Sequence, residues 1–294
     1  MLNPHKLESL PDAPDFNAVL DDISLEAVMP SAAEQHEAAS VLPTGTPIYL
    51  TDLPNRSDDK FFEIAKGLFM RGLKPVPHVS ARNVPSERAL ETLLSRLASS
   101  ACVRKVMLVG GDRGRSAGPF ENALDVIESE ILQRSGIEEI GVAGYPQGHP
   151  ALSDDILRVA LREKLDAARR AGLRAHIVTQ FSFDAWPVVT WLRALRAEGV
   201  ANPVRIGMAG PAGIPALLRF AQRCGVRTSV RGFARNAASI GKMFSQATPA
   251  EMVRDLAEAA ASENLGEIAA HIYSFGGLPQ TAKWARDAQR GELN

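Results

Sequence analysis

Cysteine is nearly absent from this chain: Cys102 and Cys224 are the only two in 294 residues, and neither sits in a metal-type spacing. A disulfide scaffold and a cysteine-based zinc site are thereby excluded, and two buried thiols acting as small hydrophobes in a reduced protein are expected. No window approaches the roughly 18 apolar residues of a membrane span. The N-terminus, Met-Leu-Asn-Pro-His-Lys-Leu-Glu, has no positive region followed by an apolar run, so a cytoplasmic protein without membrane contact is the expectation. Charge of one sign is lacking too. The 33 Lys and Arg and 34 Asp and Glu are interspersed and leave a net charge of −1 with a pI near 6.6, which gives no electrostatic footprint for nucleic acid and points to small-molecule partners. There is no His-x-His and no clustered carboxylate pattern, so no metal site is expected, and no Gly-x-Ser-x-Gly elbow for a serine nucleophile.

What the chain does have is regular alternation. Residues 1–20 carry three prolines and read as an extended arm, and 21–294 as a single catalytic domain. Strands are predicted at Ile23 to Met29, Pro47 to Thr51, Leu73 to Val79, Val103 to Val109, the apolar run from Ile140, Arg174 to Gln180, Val204 to Ala209 and His271 to Phe275, each followed by a helical segment. Two helices, Phe233 to Phe244 and Pro249 to Ser262, precede the last strand. Eight strand–helix units are the count for a (β/α)8 TIM barrel of the α/β class with extra helices before the last strand, and the length suits one such domain. An open doubly wound sheet is the other arrangement, but no Gly-x-Gly-x-x-Gly turn follows the first strand.

In a barrel the carboxyl ends of the strands share one rim, and that rim is where ligands bind. The run from Ile140 stops at Gly-Tyr-Pro-Gln-Gly-His-Pro (144–150), a loop whose prolines cannot continue a ladder and which brings Tyr145, Gln147 and His149 to that rim. Glu26, Thr51, His78, Asp112, Gln180 and Tyr273 fall at other strand ends. Each alone has a structural reading: Asp112 as a helix cap, Glu26 as an ion-pair partner, His78 as a satisfied histidine, Gln180 as a strap, Tyr273 as packing. Together, one strand acid, one loop acid, an amide and aromatics suit a flat heteroaromatic ligand held by stacking and polar contacts. The glycine-rich loop 110–118 allows close backbone approach, and its Arg113 and Arg115 suit a phosphate, unless the loop is simply solvated.

These stretches resemble the methylenetetrahydrofolate reductase family. Gly144-Tyr145-Pro146-Gln147-Gly148-His149-Pro150 is similar to its Tyr-Pro-Glu-x-His-Pro loop, and Thr179-Gln180-Phe181-Ser182-Phe183-Asp184 to its Thr-Gln-x-x-Phe-Asp segment. Pro77-His78, Gly111-Asp112 and Glu26 match in order as well. The resemblance implies a (β/α)8 barrel that interconverts 5,10-methylenetetrahydrofolate and 5-methyltetrahydrofolate through bound FAD, with NADH as a possible donor, in one-carbon metabolism and methionine biosynthesis. It implies Glu26 as the general acid at the folate N5, its pKa raised by burial, with Asp112 holding the pterin and influencing the flavin. Gln180, Phe220 and Tyr273 become substrate-binding residues, and Thr51, His78, Gly111, Asp112, Tyr145, His149 and Lys164 line the flavin and its phosphates.

The chain also departs from that pattern. Gly110 stands where the family commonly has the arginine of Arg-Gly-Asp, and in the helix after the fifth strand only Lys164 aligns with the residues that hold the cofactor's ribose and diphosphate, Leu157 and Ala160 falling near the others. After Tyr273, the run Ser274-Phe275-Gly276-Gly277 lacks polar residues usual there. These changes bear on FAD and nicotinamide more than on folate and lean towards the oxidative direction. Two alternatives stay open: a flavin-independent reductase taking hydride directly from a nicotinamide, and a folate-binding barrel without redox activity.

Overall fold

A computed structural model describes residues 17–54, 56–223 and 248–292. Eight parallel strands close into a barrel in sequence order: β1 (Ser24–Ala27), β2 (Pro47–Leu50), β3 (Lys74–Ser80), β4 (Lys105–Val109), β5 (Glu139–Gly144), β6 (Arg174–Thr179), β7 (Val204–Ala209) and β8 (Ile268–Tyr273). Closure comes from β1 pairing with β8, Glu26 opposite Tyr273, as well as with β2, Glu26 opposite Tyr49. The (β/α)8 barrel is therefore the fold.

Helices cover the outside: α1 (Asn17–Leu20), α2 (Ala32–Val41), α3 (Asp58–Met70), α4 (Glu87–Ser100), α5 (Ala123–Glu128), α6 (Ile131–Arg134), α7 (Asp154–Arg170), α8 (Ala185–Ala197), α9 (Ile214–Arg223), α10 (Ala250–Ser262) and α11 (Leu278–Gln289). Many begin at side-chain caps that the sequence supplies at the right offset. Ser57 accepts from the Lys60 amide, Ser86 from Ala89, Ser153 from Ile156, and Ser31 with Glu34 forms a capping box. Such caps satisfy amide donors left over at a helix start, each worth about 1 kcal/mol.

Burial separates two apolar layers. Leu25, Ile48, Leu50, Val106, Leu108, Ile140, Val142, Ile177, Ile206 and Ile272 point outward and join the helices in the main core. Tyr49, Val76, Met107 and Val178 form a separate cluster inside the barrel. The period of two along a strand produces this division, since neighbours face opposite sides.

Several expectations shift. Residues 17–20, placed in the extended arm, form the helical turn α1, with Val19 and Leu20 fully buried. The single helix expected after β4 is broken into α5 and α6, because Glu130 takes a left-handed conformation, φ 58°, between them. Cys102 is exposed rather than buried, in a positive-φ turn between α4 and β4. Cys224 and the helix expected over Phe233 to Phe244 lie outside the described residues. No described helix is long and apolar enough to cross a membrane, and no group of three or more potential ligands is placed to hold a metal among the described residues.

Candidate active site at the carboxyl ends of the strands

Glu26 is the first side chain of the rim. On β1 it alternates with the outward Leu25 and Ala27, so it enters the barrel mouth, half-buried. Its Oε1 accepts from the Thr51 hydroxyl at 3.3 Å. Its Oε2 lies 3.4 Å from Nε2 of His78 and 3.4 Å from Nε2 of His271. Ser24, two residues earlier on the same strand face, lies with Oγ 2.9 Å from Nδ1 of His271, so the imidazole is held from both sides.

This setting overturns the expected sign of the Glu26 shift. Burial does work to raise its pKa, but the charge of His78 and hydrogen bonding from His271 and His78 outweigh it, and the carboxyl is held well below its usual range. Burial in turn pushes the His271 imidazole down. The sequence reading counted the desolvation and put His78 at the rim, but not against the acid, and it did not include His271.

Beneath the mouth the barrel interior carries a second polar array that was not foreseen. The Tyr49 hydroxyl lies 2.7 Å from Nε2 of His176, and Nδ1 of His176 lies 2.9 Å from Glu139, whose Oε1 also meets Lys105 Nζ at 2.5 Å. Burial presses Glu139 upward, but His176 and the Lys105 ammonium outweigh it and bring its pKa to about 2. For His176, burial dominates and lowers the pKa to about 4, so the ring is neutral at pH 7. A neutral imidazole facing a carboxylate at Nδ1 carries its proton there and accepts at Nε2, which makes the Tyr49 phenol the donor. Gly141 makes room for the array, since a side chain there would meet Met107 Sδ at 2.7 Å and His176 Nε2 at 2.8 Å.

The other expected residues distribute around the rim. Gln180 is half-buried, its Oε1 accepting from the Phe181 amide at 3.1 Å. Tyr273 donates its hydroxyl to the Thr179 carbonyl at 3.1 Å and lies in a wall of rings. In that wall Phe220 stacks on Phe275 with centroids 4.3 Å apart, and Phe275 stacks on Tyr273 at 5.8 Å. Aromatic surface is thus gathered on the β6 to β8 side.

Polar and cationic groups occupy the opposite side. Asp112 is exposed and makes no hydrogen bond or ion pair among the described residues, and its charge adds to the burial that raises the Tyr145 phenol. Tyr145 and His149 meet edge to face at 5.3 Å. Gly111 adopts φ +89°, and a side chain there would come within 3.0 Å of Ser80 Cβ, so backbone alone lines this part of the rim. Arg113 is tied by Nε to Asn83 Oδ1 at 3.0 Å. On α7, Lys164 pairs with no acid among the described residues, and burial lowers its pKa.

The bare backbone at Gly110 and Gly111 admits close approach by an anionic group such as the diphosphate of FAD, and on that count the residues present fit the cofactor. Leu157 and Ala160, by contrast, offer no polar group on the α7 positions near Lys164.

The chain matches the sequence profile of the methylenetetrahydrofolate reductase family over residues 56–231. Among curated proteins it is 28% identical to methylenetetrahydrofolate reductase 2 of Saccharomyces cerevisiae over 169 residues, 54% of this chain and 27% of the yeast protein. The matched segment thus spans about a quarter of that relative. Among solved structures, an uncharacterized protein from Clostridium thermocellum that binds two copies of 5-methyl-5,6,7,8-tetrahydrofolic acid superposes with a TM-score of 0.62 at 12% identity, covering 91% of this chain and 95% of that one.

Proposed function

The chain belongs to the methylenetetrahydrofolate reductase family, and from that premise we propose that it is an oxidoreductase interconverting 5,10-methylenetetrahydrofolate and 5-methyltetrahydrofolate. The observation that carries this reading is Glu26 in the barrel mouth with Thr51, His78 and His271 around its two oxygens. Opening the methylene bridge so that the carbon stays on N5 breaks its bond to N10, and the proton is therefore needed at N10 rather than at N5. A carboxylate flanked by imidazoles is a group that holds a proton and passes it on.

In the free protein Glu26 is ionised at neutral pH. A pteridine covering the mouth would remove its remaining water, which drives a carboxyl pKa upward, towards the range where it can donate. Substrate binding would thereby tune the acid. Asp112 would meet the pterin from the rim, and Gln180, Phe220 and Tyr273 would hold the ring system on the aromatic side.

FAD would be held by Thr51, His78, Gly111, Asp112, Tyr145, His149 and Lys164, and when bound it would exchange hydride with the folate, accepting it in the oxidative direction. Tetrahydrofolate derivatives are the proposed partners, and the oxidative direction, from 5-methyltetrahydrofolate, is the proposed one. A second reading, direct use of a nicotinamide without flavin, is favoured by Leu157 and Ala160 on α7.

The test is the visible absorbance of the purified protein after FAD is offered, followed by anaerobic 5-methyltetrahydrofolate. A band near ~450 nm that bleaches with the folate supports flavin, substrate and reversible hydride transfer together. Turnover with a nicotinamide and no bound flavin would favour the second reading, and neither result would leave a folate binder.

A further inference from the structure

Loop 110–118 is fastened to the segment after β3 through one residue. The Arg82 amide donates to the Gly110 carbonyl at 3.0 Å, and the Arg82 carbonyl accepts from the Ala117 amide at 3.0 Å, so the backbone of Arg82 closes both ends of the loop. Its side chain turns the same way. Nε of Arg82 donates to the Gly110 carbonyl at 3.3 Å, and a side chain begun at Gly110 would meet Nη2 of Arg82 at 3.2 Å. The glycine leaves the guanidinium its place beside the rim.

Arg82 is half-buried, and no carboxylate pairs with it among the described residues. Neighbouring arginines are differently placed: Arg56 is paired with Asp52, and Arg113 is held by Asn83, itself bonded to Asp52. A partly desolvated guanidinium fork with its Nη groups lacking an acceptor is a site for an anion, and the planar fork matches a phosphate. Directly beside it Gly110 and Gly111 present bare backbone, which admits close approach by a phosphate.

We infer that Arg82 is a cofactor-binding residue that takes the diphosphate of a dinucleotide at the β3–β4 rim. The inference rests on the oxidoreductase reading above. The diphosphate is favoured over the carboxylates of a folate tail because the rings that would hold the folate, Phe220, Tyr273 and Phe275, gather on the β6 to β8 side of the mouth. FAD and a nicotinamide dinucleotide share this group, and the experiment separates them.

The test compares the full-length protein with Arg82→Gln and Arg82→Lys in binding titrations with FAD, riboflavin, NADH, ADP and 5-methyltetrahydrofolate carrying a γ-glutamyl tail. Because the loop is pinned by the backbone of Arg82, both variants keep those two hydrogen bonds. The lysine variant stands in if the glutamine variant does not fold. Arg82→Gln is expected to weaken ADP and whichever dinucleotide binds by about ten- to a hundredfold, the effect of losing charge-assisted hydrogen bonds, while riboflavin and folate are unchanged. Arg82→Lys, keeping the charge without the fork, should fall between. Unchanged ADP affinity in the variants, no ADP binding by the wild type, or a loss confined to the tailed folate would each overturn the assignment. If the wild type binds ADP and NADH through Arg82 but no flavin, the flavin reading fails and the phosphate site stands.

Discussion

Across the inside of the barrel, the hydroxyl of Tyr49 on β2 and Nε2 of His176 on β6 are 2.7 Å apart although 127 positions separate them in sequence. Both groups are shut off from bulk solvent, for Tyr49 is fully buried and His176 nearly so. The bond therefore satisfies two polar groups that would otherwise be stranded in the core. Tyr49→Phe should destabilise the fold by about 1–3 kcal/mol, the cost of leaving one buried acceptor unpaired. Chemical denaturation of the two proteins checks this, and an unchanged midpoint would mean that His176 finds another partner.

The same array gives the protein an acid limit of its own. His176 is held at about 4, below its ordinary 6.5, so between those values the unfolded chain binds a proton that the folded one refuses. Stability from this group is complete above pH 6.5 and is lost as the pH falls towards 4, a change on the order of 3 kcal/mol. Glu139, lowered from 4.5 to about 2, adds a further loss with the same sign below pH 4.5. Denaturation midpoints between pH 7 and 4 should fall more steeply for the wild type than for His176→Gln. Parallel curves would remove His176 from the acid response.

Two interior glycines are predicted to differ in their tolerance of alanine. At Gly141 the added methyl meets Met107 Sδ and the His176 ring, side-chain atoms that can shift, and the cost should be about 1–3 kcal/mol. At Gly207 it would lie 2.4 Å from the Thr179 carbonyl and 2.8 Å from that of Gln180, which are backbone atoms held in the ladder with β5, Thr179 opposite Gly144 and the Gln180 amide donating to the Gly144 carbonyl. Gly207→Ala should be the more damaging of the two by melting temperature, and the reverse order would show that the ladder gives way more easily than a thioether.

Much of this site was legible in the sequence because strand ends are readable. A run such as Ile-Val-Thr that stops at Gln-Phe, or Val-Met-Leu-Val that stops at Gly-Gly-Asp, marks where the rim lies. What escaped notice lies two or four residues further back along the same strand face: Ser24 behind Glu26, Tyr49 behind Thr51, His176 behind Gln180, His271 behind Tyr273. The period of two carried the signal. The pairing of Tyr49 with His176, or of His271 with Glu26, depends on barrel closure and register, which no local pattern encodes. Arg82 escaped for another reason, since it lies past a strand end and its importance comes from the empty space at Gly110.

The acid itself provides the last prediction. Glu26→Gln keeps the size and the contact with Thr51 but removes the ionisable oxygen that His78 and His271 face. On the proposed chemistry, turnover should fall by at least the roughly 10²–10⁴-fold that a general acid contributes, while 5-methyltetrahydrofolate still binds, because the aromatic wall of Phe220, Tyr273 and Phe275 is untouched. Removing the carboxylate also removes the attraction that works to raise the His271 pKa. That ring should therefore become still harder to protonate, which NMR titration of the histidines would detect. An active Glu26→Gln protein would assign proton transfer at N10 to another group, and a variant that loses folate binding would make Glu26 a binding residue first.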